Sequence, residues 1–149
     1  MQGMASSELI EKAILEAAGK PSDEITAEDL GELRELHLSD IEITDLSPLT
    51  DLKGLRVLHL SNKQITDLAP LAELTALKKL YLGFNHITDL SPLEGLTDLR
   101  ELSLWNNQIT DLQPLAELAQ LDRLNLRENL VTDLWPLCDL KSLTRLELP

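Results

Sequence analysis

Residues 77–98 read LKKLYLGFNHITDLSPLEGLTD, and the same 22-residue pattern recurs in register from Leu33, Leu55, Leu99 and Leu121, with a partial sixth copy opening at Leu143. Every copy begins L-x-x-L-x-L, and the five complete ones continue to Ile/Val-Thr-Asp-Leu-x-Pro-Leu-x-x-Leu. Self-similarity at a fixed period of this length marks an array of stacked coils rather than a globule with one central core.

The reason lies in how one coil must bury its apolar positions. The copy quoted offers Leu77, Leu80, Leu82, Ile87, Leu90, Leu93 and Leu96, yet 22 residues provide no second layer to cover them. Only stacking on the neighbouring coils closes a core. Leu80-Tyr81-Leu82 alternates with period two, so it reads as a short strand whose copies stack into a parallel sheet at about 4.8 Å spacing. The Leu-x-Pro-Leu-x-x-Leu return is too short for a regular α-helix and carries Pro in its first turn, where the missing N–H costs nothing. The expected fold is α/β: a right-handed leucine-rich-repeat solenoid with a parallel β-sheet on its concave face, 3₁₀ or irregular turns on its convex face, and an N-terminal α-helical cap.

The cap is read from residues that break the repeat. SELIEKAILEAAG (7–19) has an apolar stripe of Leu9, Ile10, Ala13, Ile14 and Ala17, with Ser6 or Ser7 as N-cap and Gly19 then Pro21 as a stop. Thr26 and Asp29 have the spacing of a capping box that starts a second, very short helix. The expected organisation is a disordered tail over 1–5, a helical cap over 6–32 and repeats over 33–149. At the other end the chain stops at Leu148-Pro149, one strand into the sixth unit. That implies a longer natural protein, or covering by Trp135 and the last turn, or self-association through an uncapped sheet edge.

Composition agrees. Hydrophobic residues make up 43% of the 149 but aromatics only 3%, so leucine does the packing and the four aromatic residues stand apart. The start MQGMASSE has no secretory signal pattern, no apolar run reaches membrane-spanning length, and the one cysteine, Cys138, allows no internal disulfide. A net charge of −13 argues against binding nucleic acid or anionic membranes.

The segments ITDLSPLTDLKGLRVLHLSN (43–62), ITDLAPLAELTALKKLYLGFN (65–85) and ITDLSPLEGLTDLRELSLWNN (87–107) resemble the repeats of the bacterial internalin family, and the helical cap is similar too. The resemblance covers nearly the whole chain, although other 22-residue leucine-rich-repeat proteins, including eukaryotic phosphatase regulators, share the motif. Internalins are surface or secreted proteins that hold host receptors on the concave face, so the resemblance implies protein binding. It also implies a structural role for the loop asparagine, which falls on Asn85, Asn107 and Asn129 but is replaced by Ile41 and Lys63 in the first two units. A hydrogen-bond ladder through these side chains is therefore expected to weaken near the cap. The family's immunoglobulin-like domain after the repeats is not in this sequence.

A second column, Asp45, Asp67, Asp89, Asp111 and Asp133, directly precedes each Leu-x-Pro turn. These carboxylates are expected to cap free N–H groups of the turn rather than hold ions.

Recognition belongs where the repeat leaves residues free to vary. One concave column runs Glu35, Val57, Lys79, Glu101, Arg123 and Arg145, and the next His37, His59, Tyr81, Ser103, Asn125 and Glu147. Ser39, Ser61, Gly83, Trp105 and Arg127 follow, then Asp40, Asn62, Phe84, Asn106 and Glu128. Tyr81, Phe84 and Trp105 fall in adjacent repeats and are expected to anchor a protein partner, or else to stack and stabilise the sheet. With the flanking column from Arg34 to Thr144, this face gathers eight of the thirteen Lys/Arg and six of the twenty-six Asp/Glu, near +2 against about −15 elsewhere. The expected partner-binding residues are Tyr81, Phe84, Trp105, His59, Lys79, Glu101, Arg123 and Arg127, with mixed charges such as Glu128 beside Arg127 tuning specificity.

Catalysis finds little support. No phosphate loop, zinc pattern or nucleophile motif is present, and Cys138 reads as a spectator on the convex return. His37 and His59 share a column and could share a metal with Asp40, but they offer only two nitrogens, so the sequence implies no cofactor and no metal. The reading is a non-enzymatic module that binds a protein partner and neither nucleic acid nor the membrane interior. The alternatives are an intracellular scaffold or enzyme-regulatory subunit, and a structural or engineered repeat without a natural ligand. Its location is cell-surface or secreted on the first reading and cytoplasmic on the second.

Overall fold

The computed structural model describes residues 5–39, 41–61 and 64–149; the expectations for residues 1–4, Asp40, Asn62 and Lys63 lie outside the described residues. Each repeat contributes one three-residue strand: Glu35–His37 (β1), Val57–His59 (β2), Lys79–Tyr81 (β3), Glu101–Ser103 (β4), Arg123–Asn125 (β5) and Arg145–Glu147 (β6). They form one parallel sheet in sequence order. The register steps by one repeat, pairing Leu36 with Leu58, Leu58 with Leu80, Leu80 with Leu102, Leu102 with Leu124 and Leu124 with Leu146. A one-residue slip would turn these leucines to solvent, so the apolar column pins the register.

On the convex side the return is a 3₁₀ turn at Ser47–Leu49, Ala69–Leu71, Ser91–Leu93, Gln113–Leu115 and Trp135–Leu137, each with Pro at its second position. The aspartate column caps these turns. Oδ1 of Asp45, Asp67, Asp89, Asp111 and Asp133 accepts the backbone N–H two residues ahead, at 2.9 Å in every case. That bond, with a further one from the serine side chain, holds the carboxyls of Asp45 and Asp89 below the ordinary range. Their contribution is present above the unfolded-state pKa and lost as pH falls through the folded one.

Between sheet and turns lies a continuous column of leucine and isoleucine, in which the five residues Leu77, Leu80, Leu82, Ile87 and Leu93 are without measurable exposure. Full burial of each such side chain stabilises by about 1.5–3 kcal/mol.

The N-terminal end of this column is closed by the helix Ser6–Ala18 (α1), which packs on β1 and the first convex turn, with Ile10 and Ile14 buried and Leu9 and Ala13 half-buried. Ala17 faces solvent rather than extending the stripe. The N-cap is Ala5, not Ser6 or Ser7. Ser6 is otherwise engaged: its Oγ accepts the Thr44 and Asp45 N–H groups at 3.0 and 3.3 Å, tying the helix start to the first repeat. Gly19 ends α1 in the left-handed conformation (φ 68°), where the Lys20 N–H reaches the Leu15 carbonyl and its own N–H that of Glu16. A second helix, Ala27–Glu32 (α2), starts at the capping box of Thr26 and Asp29. Gly54 is required where the second repeat meets this cap, because a Cβ there would collide with the Gly31 carbonyl oxygen. Among the described residues no helix is long and apolar enough to cross a membrane.

Asn85, Asn107 and Asn129 are buried in the loops that follow β3, β4 and β5. Asn107 Nδ2 donates to the carbonyls of Leu82 and Leu104 at 2.9 and 3.0 Å, and its Oδ1 accepts the Ile87 N–H at 3.0 Å. Asn85 and Asn129 repeat the pattern one coil either side. Each amide thus joins its own coil to the preceding one. At position 41 the isoleucine is half-buried against the core and has no side-chain amide for this role.

An Asn107→Ala substitution strands several buried backbone groups at once, each costing about 1–3 kcal/mol. Urea unfolding is expected to register a loss of about 3 kcal/mol or more from that cost, whereas Asp111→Ala, which removes one exposed cap, loses about 1 kcal/mol.

Candidate functional site

The in-register sheet brings the variable columns into two side-chain stacks. The first runs along the strands. His37, His59 and Tyr81 occupy paired positions on β1, β2 and β3, with ring centroids 4.0 Å apart for His37 and His59 and 4.6 Å for His59 and Tyr81. These separations match the strand spacing, so the rings stack nearly face to face because the backbone holds them there.

The second stack lies in the loops beyond the strands. Phe84 and Trp105 meet at 4.8 Å with planes tilted by 60°, and the Arg127 guanidinium carbon lies 5.9 Å from the Trp105 ring centroid. This is a tilted aromatic pair extended by a cation–π contact. Both rings remain 38% exposed, enough surface to meet another molecule.

The three aromatic residues expected as one anchor are therefore divided between two stacks, and Tyr81 makes no ring contact with Phe84 or Trp105 among the described residues. The backbone explains the division. Tyr81 lies on a strand, whereas Phe84 adopts a left-handed conformation (φ 59°) in the loop, as do Asn106 and Glu128 (φ 57°) at the same place in the next two repeats. Asparagine tolerates this state, but phenylalanine and glutamate pay roughly 1–2 kcal/mol. The loop ladder holds them in place: the Phe84 N–H donates to the Trp105 carbonyl at 2.8 Å and the Asn106 N–H to the Arg127 carbonyl at 2.9 Å. Gly83 allows the next loop to approach, since a Cβ there would lie 3.3 Å from the Trp105 carbonyl oxygen.

Near the strand-borne stack lies a shallow depression of about 210 Å³ lined by Tyr81, Glu101, Arg123, Arg145 and Glu147 among others. Burial, then the hydrogen bond to Glu101, pushes the Tyr81 phenol up to about 12. Lys79 Nζ lies 4.0 Å from Glu101, Arg145 Nε 3.1 Å from Glu147, and Arg127 Nη1 3.8 Å from Glu147. These pairs are partly exposed and contribute little stability. The Arg123 backbone N–H donates to the Arg100 carbonyl at 3.0 Å, while its guanidinium, whose charge acts on the Tyr81 phenol, forms no ion pair or side-chain hydrogen bond among the described residues.

Of the residues expected at the site, His59 is on β2, Lys79 and Tyr81 on β3, Glu101 on β4 and Arg123 on β5, while Phe84, Trp105 and Arg127 lie in the following loops. Four neighbours escaped that expectation. Arg145 and Glu147 continue its columns, and His37 extends the histidine–tyrosine stack. Glu35 Oε1 approaches Nε2 of both His37 and His59, at 3.0 and 3.5 Å. The columns disclosed these residues; the convergence of Glu35 on two rings depends on side-chain conformation. Burial, then repulsion from His37, lowers the His59 pKa, partly offset by Glu35.

A solenoid whose sheet presents non-repeating side chains on a repeating frame is a scaffold for recognition. Residues 32–73 and 75–117 each match the family described as leucine-rich repeats in two copies, and the chain belongs to the leucine-rich-repeat family. Its structural relatives place it in the internalin-like bacterial class. An internalin of Listeria monocytogenes superposes with a TM-score of 0.86 at 34% identity over 95% of this chain and 44% of its own. Internalin C2 of the same species gives 0.62 at 31% identity, covering 94% and 82%, and a leucine-rich-repeat protein of Leptospira interrogans gives 0.76 at 31%, covering 84% and 34%. This chain thus spans less than half of the first internalin and about a third of the Leptospira protein. No curated protein sequence matches it.

Tyr81 is the sole tyrosine, so tyrosinate absorbance reports its ionisation alone. A spectrophotometric titration is expected to give a midpoint near 12, falling toward the ordinary 10.0 in Glu101→Gln. The unfolded chain releases this proton first, so stability is expected to decline as pH climbs through that interval.

Proposed function

We propose that the chain is a non-enzymatic recognition module that binds a protein partner on its concave sheet face. The carrying observation is the Phe84–Trp105 pair, exposed, tilted and backed by Arg127, on loops tied down by buried asparagines. Rigid aromatic surface is the material of binding hot spots, because little conformational freedom is lost on contact. An aromatic side chain buries about 150–250 Å² in all; at 38% exposure Phe84 and Trp105 still offer well under half of that each, enough for the centre of a standard interface side of about 800 Å² but not for most of it.

Charge gives the second part of the reading. Lys79, Glu101 and Arg123 lie beside the stack that includes His59 and Tyr81, and the Arg123 guanidinium has no ion pair among the described residues. A partner carboxylate directed at Arg123 raises association rate and selectivity more than affinity.

The test compares wild type with Phe84→Ala/Trp105→Ala and with Tyr81→Ala in a pull-down followed by calorimetry on the captured partner. Loss of the loop pair is expected to weaken binding about 30-fold or more, the scale of a hot spot of at least ~2 kcal/mol. Circular dichroism is expected to stay unchanged, since none of these side chains belongs to the buried core. Normal binding by the double variant would place the site elsewhere.

A further inference from the structure

We propose that Glu35, His37 and His59 form a binding site for a divalent transition-metal ion such as Zn²⁺. The parallel register of β1 and β2 sets His37 beside His59, and Glu35, two residues before His37, shares the face of the strand. One nitrogen from each ring and one carboxylate oxygen lie within 4.8 Å of one another. The carboxylate is already drawn to both rings, with Oε1 3.0 Å from His37 Nε2 and 3.5 Å from His59 Nε2. Around a tetrahedral zinc, with bonds of about 2.0–2.2 Å, ligand atoms stand roughly 3.3 Å apart. Both approaches to the carboxylate fall close to that separation, so an ion can replace these contacts once the two imidazoles turn to aim their in-plane lone pairs at it.

Donor chemistry selects the ion. Two imidazoles and one carboxylate favour zinc, nickel or copper, whereas calcium and magnesium require sets of hard oxygens. Three protein ligands on an accessible face leave a fourth position for water, as in open zinc sites. The surroundings favour order before binding. His59 is half-buried between the rings of His37 and Tyr81, so its orientation is restrained by stacking on both sides. An ion would add a cross-link between two adjacent coils at the cap end of the sheet, in exchange for the face-to-face contact of His37 with His59.

The site does not depend on the proposed protein partner, and its test needs none. Untagged, metal-free protein is titrated with Zn²⁺ by calorimetry and with Co²⁺ by visible absorption. One ion per chain is expected, with the intense d–d bands of four-coordinate Co²⁺. His37→Ala, His59→Ala and Glu35→Gln are each expected to weaken binding more than about tenfold, the scale seen when metal sites lose a supporting group. His86→Ala, which removes the remaining histidine, is expected to leave binding unchanged. Circular dichroism on each variant verifies folding, and the near-isosteric Glu35→Gln keeps the test informative if a histidine variant is unstable. Absence of Zn²⁺ binding by wild type, or equal binding by wild type and His37→Ala/His59→Ala, overturns the proposal.

Discussion

Each coil depends on the next one to keep its leucines dry. Leu80 has its strand partners in Leu58 and Leu102, one repeat before and one after, and the same relation carries through the sheet. Hydrophobic burial is therefore an interaction between neighbours, and it sets the register of every backbone hydrogen bond in the sheet. It also sets what may vary. Positions between the leucines face outward in aligned columns, where substitution changes the surface without touching the core. The cap follows from the same constraint, since Ile10 and Ile14 cover leucines that would otherwise face water.

A second layer of organisation comes from polar groups taken into that dry interior. The loops after the strands cannot pair as a regular sheet, and the amides of Asn85, Asn107 and Asn129 satisfy their backbone groups instead. Satisfied buried networks confer rigidity because every alternative arrangement strands a donor or acceptor. Phe84 and Trp105 are carried on this stiffened backbone, and Phe84 is held there in a left-handed conformation it would not choose alone. Rigidity, rather than the mere presence of aromatic residues, is what supports the recognition role proposed for the loop pair. The first repeat has Ile41 at the asparagine position and is secured by different means, including the Ser6 hydroxyl reaching from the cap.

Along the sheet the chemistry changes with distance from the cap. The first two strands carry imidazoles gathered around one carboxylate, the third adds the Tyr81 phenol, and the last strands carry arginine and glutamate. The same frame thus presents a compact nitrogen and oxygen donor set at one end, an exposed aromatic pair beside its middle, and at Arg123 a guanidinium without an ion pair among the described residues. Because every column is aligned by leucine packing, residues 22 positions apart become side-chain neighbours at about one strand spacing. Independent chemistries can be placed on one face for this reason.

From its sequence alone the chain determined its architecture. The spacing of Leu33, Leu55, Leu77, Leu99, Leu121 and Leu143 specifies coils, strands, register and the facing of each column, because local burial of a repeated leucine pattern has one consistent solution. The aspartate caps and the capping box at Thr26 were legible as short-range polar groups with a fixed offset from a turn, whereas the asparagine ladder, whose bonds join neighbouring coils, was expected from the family resemblance. What only the tertiary structure decided was side-chain direction. The separation of Tyr81 from Phe84 and Trp105, the use of Ser6 between helix and loop, and the approach of Glu35 to two histidines depend on backbone torsions and rotamers. Those are selected by contacts between coils, and a column of letters carries no record of them.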